Sequence, residues 1–173
     1  LFLVGKITVD GREAATEHLN KTIANLGKRP LDLMLLHNIR DAENTWPVLE
    51  EAKAEGRVRY IGTSEATSRI PNDVLEKFMS EKKPDFIMPA YSIRHNEIEE
   101  RILPLAADMG TAVISIETFK LGDNDGAYFS ITSGKELPAW TAEFDCESWA
   151  QFALKFVLSH PAVTCVATET SKP

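Results

Sequence analysis

At 173 residues the chain can bury a sizeable core, and one domain is the default reading. Its apolar fraction of 43% and charged fraction of 26% are ordinary for a globular protein, and no apolar run nears the roughly 18 residues of a transmembrane helix. A net charge of -7 without a basic cluster argues against nucleic acid as a partner, and the two cysteines, Cys146 and Cys165, have no metal-ligand or redox spacing.

Leu1–Ile7 reads as a strand, followed by an Asp10-Gly11 turn in which Asp10 is placed to cap a helix over Arg12–Leu26. Ala14, Ala15, Leu19, Ile23 and Leu26 form the apolar stripe of that helix, and Gly27 ends it. Leu31–His37 is the next strand. Asn44–Ala54 is a helix with Trp46, Leu49 and Ala52 turned inward. Val58–Gly62 is a strand, and a helix from Asn72 to Ser80 follows Pro71. Phe86–Met88 is a short strand, Glu97–Met109 a helix kinked at Pro104, and Ala112–Ile116 a strand. Glu117 to Glu147 is one long irregular stretch, with enough aromatic side chains to dock as a lid over an active site. Ser148 caps a last helix through Leu158, and Val163–Val166 is the final strand. Cys165 falls in an apolar run and reads as a buried thiol, Cys146 as a loop thiol; nothing asks for a disulfide. His18, His95 and His160 read as structural or exposed.

The strand runs are crowded with Val, Ile and Leu and do not alternate, which is the pattern of strands buried on both faces. Strand and helix in alternation imply an α/β fold with a parallel sheet under helices. Six strands suit an open doubly wound sheet, whereas a closed parallel barrel takes eight; the periodicity alone leaves both open. In either case chemistry belongs at the carboxyl ends of the strands. There the sequence places Lys6, His37, Ser64 and Glu117.

Several segments together settle the choice. Leu31–His37, Trp46 through Glu51, Glu55 through Ser64, Tyr91-Ser92, Ile102–Leu105, Gly110–Val113 and the closing Ser148 to Val163 resemble, in register, the aldo-keto reductase family. The resemblance implies a (β/α)8 TIM barrel that reduces aldehydes or ketones with a nicotinamide cofactor. It further implies that residues 1–173 form a single partial barrel domain supplying strands three to eight, with the first two strands and last helices absent. The family's catalytic group is an aspartate, a tyrosine, a lysine and a histidine. Lys6 matches the lysine and His37 the histidine, while the aspartate and tyrosine precede Leu1 in the family's order. Hydride delivery leaves an alkoxide that needs a proton, and a tyrosine of ordinary pKa about 10 donates usefully only when a nearby cation lowers it. Lys6 would be that cation and His37 would orient the carbonyl. This chain by itself is therefore expected to be inactive.

The cofactor positions depart from the family. The pair that holds the nicotinamide carboxamide is Ser64-Glu65, and the neighbouring glutamine is replaced by Met88, which donates nothing. The stacking aromatic aligns with Ile116, and Glu117 follows near the pyrophosphate. Beyond the last strand, the position facing the adenosine phosphate is Glu169, then Thr170. A carboxylate beside a phosphate is repulsive, most of all where water is excluded. The cofactor expectation is NADPH or NADH, and the alternative is a reductase-like protein that has lost nicotinamide binding. A third possibility is cofactor-free acid–base chemistry at His37. A small-molecule carbonyl substrate, no membrane, a cytoplasmic location and an unread oligomeric state complete the expectations.

Overall fold

A computed structural model describes residues 1–27, 29–65, 70–121 and 127–168. Six strands, β1 (Val4–Ile7), β2 (Leu31–His37), β3 (Val58–Glu65), β4 (Phe86–Pro89), β5 (Ala112–Ser115) and β6 (Val163–Val166), form one sheet. The helices are α1 (Arg12–Leu26), α2 (Ala42–Ala54), α3 (Asn72–Lys82), α4 (Ile102–Met109), α5 (Ala127–Thr132) and α6 (Trp149–Leu158). Every neighbouring pair of strands is parallel, and the spatial order is β1-β2-β3-β4-β5-β6. A doubly wound sheet reverses its strand order at a switch point. This sheet never reverses, so it is the wall of a barrel wound in one direction, and six strands make a partial one. Among the described residues no helix is long and apolar enough to cross a membrane.

The sheet's two faces carry separate cores. Ile7, Met34, Leu36 and Ile61 pack against Ala15, Leu19 and Ile23 of α1 and Trp46, Leu49 and Ala52 of α2. Ile87 and Val113 pack in the same helix-side layer against Leu75, Met79, Ile102, Leu103, Ala106 and Val157. On the concave face Leu33, Leu35, Met88 and Ile114 form a smaller cluster, flanked by Tyr60, Phe86 and Ile116. Gly62 belongs to this inner face by register, between Leu35 and Phe86. A Cβ there would lie 2.1 Å from the carbonyl oxygen of Phe86, so only glycine lets β3 and β4 approach this closely.

Several boundaries differ from the sequence expectation. β3 runs on to Glu65, which brings Ser64 into the sheet. The expected helix from Glu97 is a 3-10 turn at Glu97–Glu99 followed by α4, and Pro104 falls in the first turn of α4, where a missing N–H breaks no helical bond and no kink is needed. Gly11 stands at the start of α1 with no side-chain cap, and Asp10 pairs with Arg40 instead. The cysteines exchange places: Cys146 is buried, its thiol 3.4 Å from the carbonyl of Ser148, and Cys165 is exposed on the outer strand β6. The Ser148 cap forms as expected, accepting from the Gln151 N–H at 3.2 Å.

Candidate active site

Lys6 ends β1 one residue before Ile7. Ile7 is buried under the helices, so Lys6 emerges on the concave face, beside Leu35 in the register. His37 is the last residue of β2 and is the register partner of Ser64 in β3. Its Nδ1 lies 3.1 Å from Ser64 Oγ, and Ser64 is 1% exposed. Met88 continues the same row across β4, beside Ser64, and packs on Leu33, Leu35 and Ile114. Thus Lys6, His37, Ser64 and Met88 share one face at the carboxyl ends of four consecutive strands. Glu65 ends β3 opposite Pro89. Thr170 and Glu169 lie outside the described residues.

The turn after β2 is strained. Asn38, Ile39 and Asp41 have φ values of 55°, 51° and 46°. Asparagine and aspartate tolerate this region, but a β-branched isoleucine there is an outlier that the surroundings must impose. Two ties to the β1 turn do so. Arg40 grips Asp10 through Nε at 2.5 Å and Nη2 at 2.8 Å, and Asp41 Oδ2 accepts the Gly11 N–H at 2.6 Å. The guanidinium beside it holds the Asp10 carboxyl below the usual aspartate range, chiefly through this hydrogen bond. Asn38 itself donates its backbone N–H to the Ser64 carbonyl at 2.6 Å, and its side-chain Nδ2 stands 3.3 Å from His37 Nε2.

Ile116 forms an isolated parallel bridge with Ala90 just beyond β4 and β5, and is only partly buried. Glu117 follows with φ 58°. Its carboxylate is not alone: Lys120 Nζ lies 3.2 Å from Oε2, with the lysine side chain 14% exposed. The Glu117 carboxylate is therefore compensated on the spot by a cation that is largely buried. Thr118 Oγ1 beside them is buried without a hydrogen-bond partner among the described residues. An apolar floor, a buried serine hydroxyl, a shielded lysine and an unpartnered threonine hydroxyl are a donor set that fits a nicotinamide nucleotide, with Met88 the poorest member. Among the described residues no cluster of His, Cys, Asp or Glu could hold a metal. Asn38 and Lys120 were not singled out by the sequence.

The segment from Glu117 to Glu147 contains α5 and a 3-10 turn at Ala139–Phe144. Phe129 packs on Phe119 at a tilt of 44°, while Trp140 and Phe144 pack against Phe152 of α6. A cavity of about 550 Å³ opens there, lined by Trp140, Phe144, Phe152, Lys155, Phe156 and Ser159.

The chain is similar to the NADH-specific methylglyoxal reductase of Escherichia coli strain K12, 27% identical over 107 residues that are 58% of this chain and 32% of that protein. It is also similar to the D-threo-aldose 1-dehydrogenase of a Pseudomonas species, 29% identical over 105 residues, 56% of this chain and 31% of that protein. The chain thus matches about a third of the length of these curated relatives. An aldo-keto reductase structure from Bacillus halodurans in its holo form superposes with a TM-score of 0.75 at 22% identity, over 99% of this chain and 63% of that one. That likeness establishes the fold. The model of the aldo/keto reductase family matches residues 5–173, nearly the full length, and the chain belongs to that family.

Proposed function

We propose that this chain is part of an NAD(P)H-dependent oxidoreductase that reduces a small-molecule aldehyde or ketone to an alcohol. The observation that carries the reading is the convergence of Lys6 and His37, from adjacent strands, on one face at the carboxyl ends of the sheet. When bound, the reduced nicotinamide supplies a hydride. Ser64, Ile116, Thr118 and Lys120 are the residues that would hold it, the lysine opposite the phosphates. His37 would orient the substrate oxygen, and Lys6 would lower the pKa of the group that protonates the nascent alkoxide.

Tyr60 pairs with Leu33, four residues before His37 and so two pleats below the strand end, which leaves it out of reach as the proton donor. Nor is the donor Tyr91 or Tyr128. Tyr91 donates its hydroxyl to Glu99 at 2.5 Å, and Tyr128 donates to the Trp149 carbonyl at 2.7 Å. Burial raises both pKa values, the wrong direction for a donor at neutral pH. This supports a reading in which the chain needs the family's tyrosine and aspartate from outside residues 1–173 and is inactive alone. The NADH specificity of the methylglyoxal reductase relative supports NADH as the first cofactor to try.

The second reading, a reductase-like protein without nicotinamide binding, is favoured by one observation: Met88 is 5% exposed among leucines at the carboxamide position and offers no hydrogen bond. Fluorescence titration with NADH and NADPH separates the two, with Trp46, Trp140 and Trp149 as reporters. Micromolar binding of either supports the reductase. No binding at millimolar cofactor supports the second reading.

A further inference from the structure

The cavity beside α6 belongs to the helix layer, not to the concave face that carries Lys6 and His37, and carbonyl reduction makes no use of it. Phe152, Lys155, Phe156 and Ser159 follow one another at the spacing of a single helix face. The 3-10 turn supplies the opposite wall with Trp140 and Phe144. Phe156 rests against Tyr91, ring centroids 5.8 Å apart, and Tyr91 shares a buried cluster with Ile102 and Leu103 of α4. Both walls and their support therefore come from this chain. From Phe152 to Ser159 the lining runs roughly 10 Å along the helix, too short to seat a partner helix of several turns. A cavity of about 550 Å³ is instead the size of a small-molecule site.

Four aromatic rings suit a flat apolar ligand and, through their faces, a cation as well. Charge decides between the two. Among the described residues Lys155 is the one charged side chain lining the cavity, and no carboxylate there pairs with it. Its Nζ donates to the Phe144 carbonyl at 2.6 Å, which holds the ammonium at the rim and leaves it N–H groups to spare. A second donor is available in Trp140. The indoles of Trp46 and Trp149 donate to Glu50 and to the Lys135 carbonyl, whereas that of Trp140 finds no acceptor among the described residues. In a chain of net charge -7, an unpaired lysine among aromatic rings reverses the local sign. It repels a cation and completes its hydrogen bonds with an anion.

We propose that this cavity is a binding site for a small aromatic carboxylate, its rings among Trp140, Phe144 and Phe152 and its carboxylate on the Lys155 ammonium. The rings supply buried area, and the lysine orients the ligand with its acid group at the rim. The site is separate from the candidate active site and does not rest on the oxidoreductase reading.

The test is isothermal titration calorimetry of the protein with naphthoate and with the neutral naphthylmethanol. The expected result is one site per chain, with the carboxylate bound about 5- to 20-fold more tightly than the alcohol, the usual scale of a charged hydrogen bond. Lys155→Met should remove that preference and leave the affinity for the alcohol unchanged. Ser159→Trp should fill the cavity and abolish binding of both. Millimolar NADH should not displace naphthoate, and Lys6→Met should bind it normally. Equal wild-type affinity for the two probes, no binding at millimolar naphthoate, or displacement by NADH overturns the proposal, and these wild-type comparisons decide it even if a variant fails to fold. A dimer in sedimentation that Ser159→Trp dissociates also overturns it, by giving this face to a second copy of the chain. A failure here leaves carbonyl reduction standing, and a failure to bind NADH or NADPH leaves this site as it is.

Discussion

Lys6 lies beside Leu35 in the register of β1 and β2, two residues before His37 and on the same face, so the two side chains are diagonal neighbours on adjacent strands. A cation one pleat below a histidine can polarise the same oxygen that the ring orients. In the protein with its full complement of catalytic groups, Lys6→Met and His37→Gln should each lower kcat by about 10²- to 10⁴-fold, the usual range for losing acid–base assistance. Cofactor affinity should change little, since neither residue is in the set proposed to hold the nucleotide. Steady-state kinetics beside a cofactor titration would check both halves.

The Glu117–Lys120 pair predicts opposite effects from its two members. Lys120→Met leaves a carboxylate uncompensated where phosphates are expected and should weaken NADH or NADPH about 10- to 100-fold. Glu117→Gln frees the lysine and should tighten binding. Equal effects of the two substitutions in a fluorescence titration would remove the pair from the cofactor site.

Gly62 is the most sensitive backbone position in the described sheet. The Phe86 carbonyl that a Cβ would strike at 2.1 Å is fixed in β4 and cannot give way like a side chain. Gly62→Ala should cost about 3 kcal/mol or more, read as a lower urea midpoint with an unchanged slope.

Alkaline stability follows from the two buried tyrosines. Burial first, then the Cys146 thiol, pushes Tyr128 up to about 12, and burial and the Glu99 carboxylate raise Tyr91 as well. A folded-state pKa above the ordinary value of about 10 means that the fold favours the neutral phenol. That contribution is complete below pH 10 and is lost as pH climbs through the folded value, because the unfolded chain ionises first. Urea unfolding at a series of pH values above neutrality should show stability falling from about pH 10 upward, with a shallower fall in Tyr128→Phe.

The cysteines offer a test of the topology. One thiol, Cys165, should react with an aromatic disulfide reagent in the native protein, slowed by the partial burial that raises its pKa. Cys146 should react only after unfolding. A Cys165 as slow as a buried thiol would contradict the placement of β6, and a fast Cys146 the burial of the loop before α6.

Most of the sheet was legible because strands buried on both faces cannot disguise themselves: Leu33–Leu36 reads apolar whichever face is considered. β3 was cut short because Ser64 and Glu65 are polar, and nothing local says that a serine is paired in a sheet. Cys165 misled because an apolar run implies burial only where something covers the strand, and β6 pairs on one side alone among the described residues. Lys6 and His37 could be found because the chemistry of such folds collects at strand ends. Asn38 could not. Its place beside His37 depends on a left-handed turn and on a serine twenty-six residues away, both properties of the assembled sheet. Lys120 was hidden for a similar reason, since its contact with Glu117 depends on the backbone bend at that glutamate.

The ties from Arg40 to Asp10 and from Asp41 to Gly11 have a mechanical consequence. The turns they join directly follow the strands that carry Lys6 and His37, so the spacing of those two side chains is governed by a strut as well as by the sheet. One half of the strut is an exposed ion pair and the other a partly buried hydrogen bond from a backbone N–H to the Asp41 carboxylate. Ionic strength weakens the first more than the second. The rim of the mouth accordingly has a stiffness that the surrounding solution can tune in part.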